Sequence, residues 1–376
     1  MTALESMRSR LVEWLVAAAY PLWSRNGIDH GTGGFNEALD MHGQAIALPR
    51  RARVHPRQIY AFAQAGRFGW QGDGETIVRR GMDYFTRYYR RCDGLFRALV
   101  SADGAPLDER ALLYDQAFAL LGFAAAATAL DARAEFEGRA LELSHLMDAR
   151  LGAGDGSYRS EEESVEHRES NPHMHLLEAY LAWAEIGHDP TWVARLRSLV
   201  NLALSRFIHP GSGAIGESYL ATWQPTPGIA GRIIEPGHQF EWAWLLLRCE
   251  RWHDAALREA ALRLISIGDQ YGVRNGVAIN ALHDDFTVKD GNARCWPQTE
   301  RLKAALLAAL LTGETRYWST AKAAATSLFG YLHASVPGLW LDEQSTGGEF
   351  PASPAPASTF YHLVGAIAEM NLARAG

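Results

Sequence analysis

The sequence predicts an all-α fold, an (α/α)6 barrel in which helical hairpins close into a ring. Apolar residues recur at three- and four-residue spacing in about twelve segments, whereas the long alternating runs typical of strands are scarce. Short and long connections alternate, and every second segment begins about 55 to 65 residues after the previous one of its kind. Because this repeat indicates one ring of helical pairs, we expect residues 1–376 to form a single barrel domain.

The order of the segments follows from their periodicity. They begin near residues 5, 56, 75, 111, 132, 172, 190, 237, 253, 297, 315 and 357. The connection after each even segment is short, as at residues 130–131 and 251–254, which is typical of antiparallel helical hairpins. The connection after each odd segment spans roughly 20 to 30 residues and carries glycine clusters. We therefore expect the even helices to line the barrel, with their N-terminal ends beside the long loops.

Prolines and reactive side chains mark the starts of the even helices. A proline near a helix start is favourable because its missing N–H would be unpaired there anyway, and the sequence places Pro56, Pro172, Pro236, Pro297 and Pro356 at such points. Polar and aromatic groups recur beside them, in Arg57-Gln58-Ile59-Tyr60, Tyr114-Asp115-Gln116-Ala117-Phe118, Asn171-Pro172-His173-Met174-His175, His238 to Glu241, Trp296-Pro297-Gln298-Thr299-Glu300 and Phe360-Tyr361-His362. Histidines at equivalent positions of several helices indicate one shared pocket.

Helical geometry separates candidate site residues from structural ones. His238 and Glu241 lie three residues apart and share a helix face. Asn171 and His175 also face one way, whereas His173 points elsewhere, and we interpret His173 as structural.

Arg57 stands at the positive end of a helix dipole. A cation is unfavourable there unless an anion or developing negative charge offsets it, which favours a functional role.

Composition excludes several classes of function. The formal net charge of -7 and pI near 6.1 argue against a nucleic-acid or anionic-membrane partner, and no apolar run reaches the roughly 18 residues of a membrane span. The three cysteines are far apart, so we expect a reducing cytoplasm and no disulfide framework. None of the three lysines lies in a stretch that looks catalytic, which argues against a Schiff base. The sequence lacks the H-E-x-x-H motif, in which two histidines on one helix face bind zinc. We expect neither a metal nor another cofactor.

Taken in order, the motifs resemble those of the N-acylglucosamine 2-epimerase superfamily, which includes mannose isomerases, aldose–ketose isomerases and cellobiose 2-epimerases. The resemblance covers nearly the whole chain. It rests on Arg57-Gln58-x-Tyr60-x-Phe62, Leu113-Tyr114-Asp115-Gln116-Ala117-Phe118, Asn171-x-His173-Met174-His175-x-x-Glu178-Ala179, Gly237-His238-x-x-Glu241-Trp242, Trp296-Pro297-Gln298-x-Glu300 and Tyr361-His362.

The resemblance implies an (α/α)6 barrel and metal-free proton transfer at C2 of a free reducing sugar. By similarity His362 is the base at C2, His238 the second acid/base with Glu241 beside it, and Arg57 the group that holds the enediolate. Further expected contacts to the substrate are His175, Asn171, Tyr114, Trp296, Gln298 and Glu300. Cys295 departs from the disaccharide-epimerising members, which tend to carry a tryptophan there, and this argues against a disaccharide.

Several functions stay open on these residues. The leading prediction is an aldose–ketose isomerase, with D-mannose to D-fructose favoured, and the alternative is a sugar 2-epimerase using two histidines. A glycoside hydrolase of the same fold would instead use two carboxylates, for instance Asp115 and Glu241. A non-catalytic sugar-binding ring is a further possibility. We expect a monomer or a homodimer.

Overall fold

The computed structural model describes residues 3–253 and 256–373. Within these residues the chain forms thirteen α-helices: α1 (Ala3–Trp14), α2 (Tyr20–Asn26), α3 (Val54–Ala63), α4 (Gly74–Tyr89), α5 (Leu113–Ala129), α6 (Arg133–Arg150), α7 (Ser170–Ile186), α8 (Thr191–Leu202), α9 (Pro236–Cys249), α10 (Ala256–Gly272), α11 (Cys295–Thr312), α12 (Thr315–Tyr331) and α13 (Ser358–Leu372). A π-helical turn at Leu15–Ala19 joins α1 to α2, and another at Ala203–Phe207 extends α8. No helix in this part of the chain has the length and apolar content that a membrane crossing requires.

Two concentric sets of helices make up the barrel. The inner helices α3, α5, α7, α9, α11 and α13 each pack against the next, and α13 returns to α3, which closes the ring. Helices α4, α6, α8, α10 and α12 pack outside, each against the inner helix that precedes it, while α1 lies against α12 and α13 and occupies the sixth outer position. The predicted all-α (α/α)6 barrel is therefore confirmed.

Burial along the helices explains this division. Inner α5 and α11 are buried over almost their whole length, including small residues such as Ala117 and Ala304 that allow close helix contact. Outer α4 buries one stripe that includes Val78, Met82 and Phe85 and exposes the rest, as an amphipathic surface helix does.

The predicted inner helix starts lie within about two residues of the observed ones, which is the usual uncertainty of a helix boundary. Pro236 is the first residue of α9, and Pro56, Pro172 and Pro297 are the third residues of their helices, where no intrahelical N–H bond is required. The expected turn at residues 251–254 ends at Asp254, which lies outside the described residues.

Fourteen short strands lie in the connections of the described chain. They are β1 (Ala38–Leu39), β2 (Arg50–Arg51), β3 (Leu99–Val100), β4 (Pro106–Asp108), β5 (His167–Glu169), β6 (Ser218–Leu220), β7 (Ile233–Ile234), β8 (Val273–Arg274), β9 (Val277–Ala278), β10 (Ala281–His283), β11 (Val288–Asp290), β12 (Ala293–Arg294), β13 (Glu343–Gln344) and β14 (Ala355–Pro356). Antiparallel pairing joins loops of different hairpins, as in β5 with β6, β7 with β10 and β1 with β14. These pairings hold the long loops around the N-terminal ends of the inner helices.

Candidate active site

A cavity of about 300 Å3 opens at the N-terminal ends of the inner helices. Eight predicted site residues line it: Arg57, Tyr114, Asn171, His175, His238, Glu241, Trp296 and His362. They come from all six inner helices, so residues far apart in sequence meet at one point.

A repeated arrangement brings these side chains to the cavity. Near the start of five inner helices, one side chain accepts a hydrogen bond from a backbone N–H of a preceding loop, and we call these the clamp residues: His55 to Phe35, Gln116 to Phe96, His173 to Tyr158, Gln239 to Ile215 and Gln298 to Ala278, at 2.8–3.0 Å. The residue two positions later faces the opposite side of the helix, because two residues turn a helix by about 200°. That second position is occupied by Arg57, His175 and Glu241, which line the cavity, and by Phe118 and Glu300, which do not; α13 places His362 equivalently after Phe360.

The clamp residues settle two expectations. His173 is structural as predicted, since its Nε2 accepts from Tyr158 N at 3.0 Å and its Nδ1 lies 2.7 Å from Glu169 O. Gln298 was expected to bind substrate, but its amide donates to Ala278 O and its Oε1 accepts from Ala278 N, both at 2.8 Å. The side chain of Gln298 in α11 therefore binds the loop at Ala278 and does not line the cavity.

His362 sits in a setting that keeps its imidazole neutral. Its Nδ1 lies 2.8 Å from Glu300 Oε1, and the residue is only 6% exposed. Burial lowers the pKa of His362, and the charges of Arg57 and Lys303 lower it as well. The carboxylate of Glu300 raises this pKa but does not outweigh them. Because a carboxylate at Nδ1 favours a hydrogen on that atom, Nε2 carries the lone pair and can accept a proton. Glu300 was expected to bind substrate, yet it is fully buried beneath His362, outside the cavity lining.

His238 has the opposite character. Its Nδ1 lies 2.9 Å from Glu217 Oε2 and 3.9 Å from Glu235 Oε2. Burial favours the neutral ring, but the two carboxylates outweigh it and raise the pKa of His238 to about 9. The ring is therefore an imidazolium at neutral pH.

Both imidazoles contact the same aromatic ring. The centroid of Trp296 lies 5.1 Å from that of His238 and 5.5 Å from that of His362. Two titratable groups whose pKa values are shifted in opposite directions within one cavity divide naturally into an acid and a base.

Arg57 supplies a buried positive charge with an incomplete set of partners. Its Nη2 donates to the hydroxyl of Tyr114 at 2.7 Å, and its guanidinium lies 4.1 Å from the ring centroid of Phe118. Within the described chain its Nε is buried without a hydrogen-bond partner. Because a buried donor left unpaired is costly, this cation is suited to an anionic or oxygen-rich ligand.

The floor of the cavity holds a second group of buried polar side chains. His175 Nδ1 lies 3.2 Å from Glu178 Oε2, and Tyr361 donates its hydroxyl hydrogen to Glu178 Oε1. Burial lowers the pKa of His175 to about 3. Burial and the neighbouring Glu300 raise the pKa of Glu241 well above its usual range, against the opposing effect of Lys303.

Two floor and wall groups offer unused hydrogen-bonding atoms. Among the described residues, the two carboxyl oxygens of Glu241 and the Oδ1 of Asn171 have no hydrogen-bond partner, although Glu241 Oε1 lies 3.9 Å from His175 Nδ1. Both residues line the cavity, so these atoms are available to the hydroxyl groups of a ligand.

Three clusters in the described chain bring histidine and carboxylate atoms within 4.8 Å of one another: His175, Glu178 and Glu241; Glu217, Glu235 and His238; and Glu241, Glu300 and His362. In each cluster the histidine Nδ1 already contacts a carboxylate. Lys303 Nζ lies 2.7 Å from Glu300 Oε2, so the positive charge of this lysine would repel a cation bound in the third cluster. The histidines of all three clusters thus keep Nε2 for a ligand or a proton.

The model of the N-acylglucosamine 2-epimerase (GlcNAc 2-epimerase) family matches residues 33–366. The chain belongs to the N-acylglucosamine 2-epimerase family. The family resemblance seen in the motifs is thereby confirmed.

Individual members of the N-acylglucosamine 2-epimerase family are similar over most of their length. The mannose-6-phosphate isomerase of Rhizobium meliloti (strain 1021) is 46% identical over 370 residues, which cover 96% of each chain. The D-mannose isomerase of Marinomonas mediterranea is 24% identical over 362 residues, 90% of this chain and 91% of that one. A crystal structure of D-mannose isomerase matches with a TM-score of 0.88 at 22% identity, over 98% of this chain and 97% of the other. These relatives are sugar isomerases, which confirms the expected class of enzyme.

Three charged residues near the cavity, Glu217, Glu235 and Lys303, were not predicted from the sequence. Glu217 lies 21 residues before His238 in a long loop, and only the folding of that loop brings the two together. Glu235 directly precedes the first residue of α9, so its proximity to His238 was readable from the sequence. Lys303 was not among the predicted site residues, yet it is buried three residues after Glu300 on the same helix face and pairs with that carboxylate at 2.7 Å.

Asp115, a candidate for a hydrolase mechanism, does not line the cavity. Its Oδ1 accepts from Arg53 Nε at 3.0 Å, and the carboxyl group is fully buried. The structure thus does not place Asp115 opposite Glu241 across a common ligand.

We expect Glu217→Gln to narrow the pH range of activity at its alkaline end. Glutamine keeps an acceptor for Nδ1 but removes the negative charge, so the pKa of His238 falls and the imidazolium is lost at lower pH. The alkaline limb of kcat/KM should move down by about one to two pH units. Initial rates between pH 6 and 10, corrected for base-catalysed sugar isomerisation in a blank, measure the shift.

Glu235→Gln is the matched control for this experiment. Its carboxylate lies farther from His238, 3.9 Å against 2.9 Å for Glu217, and also pairs with Arg294. A smaller shift is therefore expected. An alkaline limb unchanged in Glu217→Gln would contradict the assignment of His238 as an acid.

Proposed function

We propose that the protein is an aldose–ketose isomerase that acts on a free monosaccharide, most favourably converting D-mannose to D-fructose. The observation that supports this most is the pair of histidines, one neutral and one protonated, beside Trp296 in one cavity. Moving a proton between adjacent carbons requires such a base together with an acid for the carbonyl oxygen.

The reaction begins with the open-chain aldehyde in the cavity. His362 Nε2 removes the proton from C2, and the electrons of that bond form the C1–C2 double bond of a cis-enediolate. The charge that develops on O1 is stabilised by Arg57 and by the positive ends of the inner helices, and His238 donates its proton to O1. His362 then returns its proton to C1, and the O2 proton passes to His238, which leaves a ketose and the starting enzyme.

Other cavity residues position the sugar. The carboxyl group of Glu241, the amide of Asn171 and the neutral ring of His175 can hydrogen-bond hydroxyl groups, and Trp296 offers an apolar face for the carbon skeleton. These contacts support Asn171, His175, Tyr114 and Trp296 as substrate-binding residues.

Charge at the cavity rim supports an unphosphorylated sugar, although one relative is named for a phosphorylated substrate. Arg51 pairs with Glu37 at 2.7 Å, and Arg294 pairs with Glu235 at 3.1 Å. Both rim arginines are therefore neutralised, and Asp342 adds a carboxyl group to the lining. A phosphate would have to displace these carboxylates to bind an arginine.

A 2-epimerase is the second candidate, because His238 carries a proton in the same cavity. If His238 protonated C2 on the face opposite to His362, the product would be glucose and not fructose. The two outcomes are distinguished by which product accumulates from mannose.

The test is incubation of purified protein with D-mannose in deuterated water, followed by proton NMR. Fructose with deuterium at the exchanged carbon is the expected result, and mannose 6-phosphate should react more slowly. Glucose without accumulating fructose would favour the epimerase. If the sample contained no new sugar and no deuterium at C2, both the isomerase and the epimerase would be ruled out.

We also propose that residues 1–376 act as one cytoplasmic catalytic domain, as a monomer or homodimer and without a metal. Activity unchanged after treatment with a chelator supports the last point, since the proton transfers above need only side chains. A loss restored by adding a divalent cation would contradict it.

A further inference from the structure

Lys303 is a buried cation that the proposed reaction does not use. It lies on α11, is 2% exposed, and places Nζ 2.7 Å from Glu300 Oε2 and 3.6 Å from the ring centroid of Trp244. It does not line the sugar cavity. Instead it lines a separate cavity of about 240 Å3 toward the C-terminal ends of the inner helices, together with Glu178 and Tyr361.

This lysine stands among three buried carboxyl groups. Glu178 of α7, Glu241 of α9 and Glu300 of α11 all raise the pKa of Lys303 against the effect of burial. In turn, burial disfavours the charged form of Glu300, but Lys303 and His362 hold the pKa of that carboxyl down, to about 2. The ionised state of Glu300 in this dry setting therefore depends on the lysine.

Glu300 links the lysine to the proposed base. One carboxylate oxygen, Oε2, accepts from Lys303, and the other, Oε1, lies 2.8 Å from His362 Nδ1. A carboxylate held at both oxygens cannot rotate away, and its charge keeps the hydrogen of the imidazole on Nδ1.

We propose that Lys303 is a positioning residue for proton transfer: by fixing Glu300 as a carboxylate, it makes His362 present the lone pair of Nε2 to the sugar. This inference rests on the proposed role of His362. Lys303 itself touches no substrate, and its protonated amine on the far side of the floor does not act as a nucleophile.

The effect on pH dependence has a definite sign. Glu300 and His362 share protons as a coupled pair, and a neighbouring cation lowers the affinity of the whole pair for a proton. Removing the cation raises that affinity however the proton is divided between the two. The groups that also face this pair or Lys303 from other helices are Arg57, Tyr60, His175, Glu178, Glu241 and Tyr361. A Lys303 variant retains all of these residues, but the pKa values of Glu178 and Glu241, which Lys303 also lowers, would rise with that of the pair.

The decisive variant is Lys303→Met, which removes the charge and shortens the unbranched side chain by only one atom. We expect kcat to fall about 10- to 100-fold with KM changed less than about threefold, the effect typical of losing a residue that orients another. The acid limb of kcat/KM should move to higher pH by about one unit. Lys303→Arg, whose larger head has room in the adjoining cavity, should keep both the limb and most of the rate.

A purely structural role predicts a different result. Lys303→Met would then lower the melting temperature while the folded protein kept the wild-type kcat and acid limb, and that outcome would overturn the proposal. A loss in Lys303→Arg as large as in Lys303→Met would also overturn it, because the charge would not be the cause. If methionine prevents folding, Lys303→Gln gives the same readout, since its amide can still donate to Glu300 without a charge.

Nitrogen NMR of the imidazole rings tests the proposal without any sugar. In the wild type at neutral pH, His362 should carry its hydrogen on Nδ1, and its titration midpoint should rise in Lys303→Met or Lys303→Gln. A wild-type ring with its hydrogen on Nε2 would refute the proposal even if no variant folded. Failure to convert any sugar would contradict the proposed function and leave this measurement interpretable.

Discussion

Replacing His362 with asparagine should lower kcat/KM for D-mannose by about 10²- to 10⁴-fold, the contribution usual for a general base. The side chain lies at the start of α13 in the cavity, and Glu300 holds its Nδ1. Asparagine retains polarity but offers no basic nitrogen for the proton at C2. Deuterium exchange at C2 should fall in parallel with ketose formation, because both need the same abstraction step.

His173→Asn is the matched control, since His173 is an equally buried histidine at the start of an inner helix. Its nitrogens contact the loop at Tyr158 and Glu169, so we expect a lower melting temperature and an almost unchanged rate per folded molecule. If His362→Asn kept most of its activity, the isomerase mechanism would be wrong, and a reaction driven by carboxyl groups alone would gain support.

Arg57→Gln should have the second largest effect, a loss of about 10²- to 10³-fold in kcat, as found when a group that stabilises a developing oxyanion is removed. The guanidinium is 6% exposed and lies against Tyr114 and Phe118, so its charge acts through little water. KM should change less than kcat, because the charge on the enediolate exists mainly in the transition state. Steady-state rates over a range of mannose concentrations separate the two.

Arg79→Gln provides the comparison for this change. Arg79 lies on the outer helix α4 in an exposed pair with Glu75, where the loss of one charge alters neither cavity nor core. Equal reductions in Arg57→Gln and Arg79→Gln would indicate that overall charge matters more than the position of the guanidinium. A rise in KM with kcat unchanged would instead assign Arg57 to binding alone.

The helices and the site-lining residues could be predicted because their signals are local. Prolines and the change from loop to helical periodicity marked the starts of the inner helices, and positions such as Asn171 and His175 share a face by spacing alone. Because a closed ring brings equivalent helix starts to one face, local signals were sufficient to assemble the cavity.

The remaining groups depend on contacts between distant segments. Glu217 reaches His238 from a loop whose path is set by the pairing of β5 with β6, which no short-range pattern encodes. Gln298 occupies a helix start like its neighbours, and its contact with the loop at Ala278, 20 residues earlier in the sequence, was not evident from local spacing. Lys303 became significant once three carboxyl groups from three helices were found around it.

The clamp residues affect which parts of this barrel can change during evolution. Five of the long loops are hydrogen-bonded to the following inner helix through a clamp residue, and in α3, α7 and α9 the residue two positions later lines the cavity from the opposite side of the helix. Insertions or deletions in these loops away from the clamped residue would therefore reshape the rim without moving Arg57, His175 or Glu241. Such a barrel can acquire new substrate preferences through its loops while the cavity-lining side chains of its inner helices are inherited unchanged.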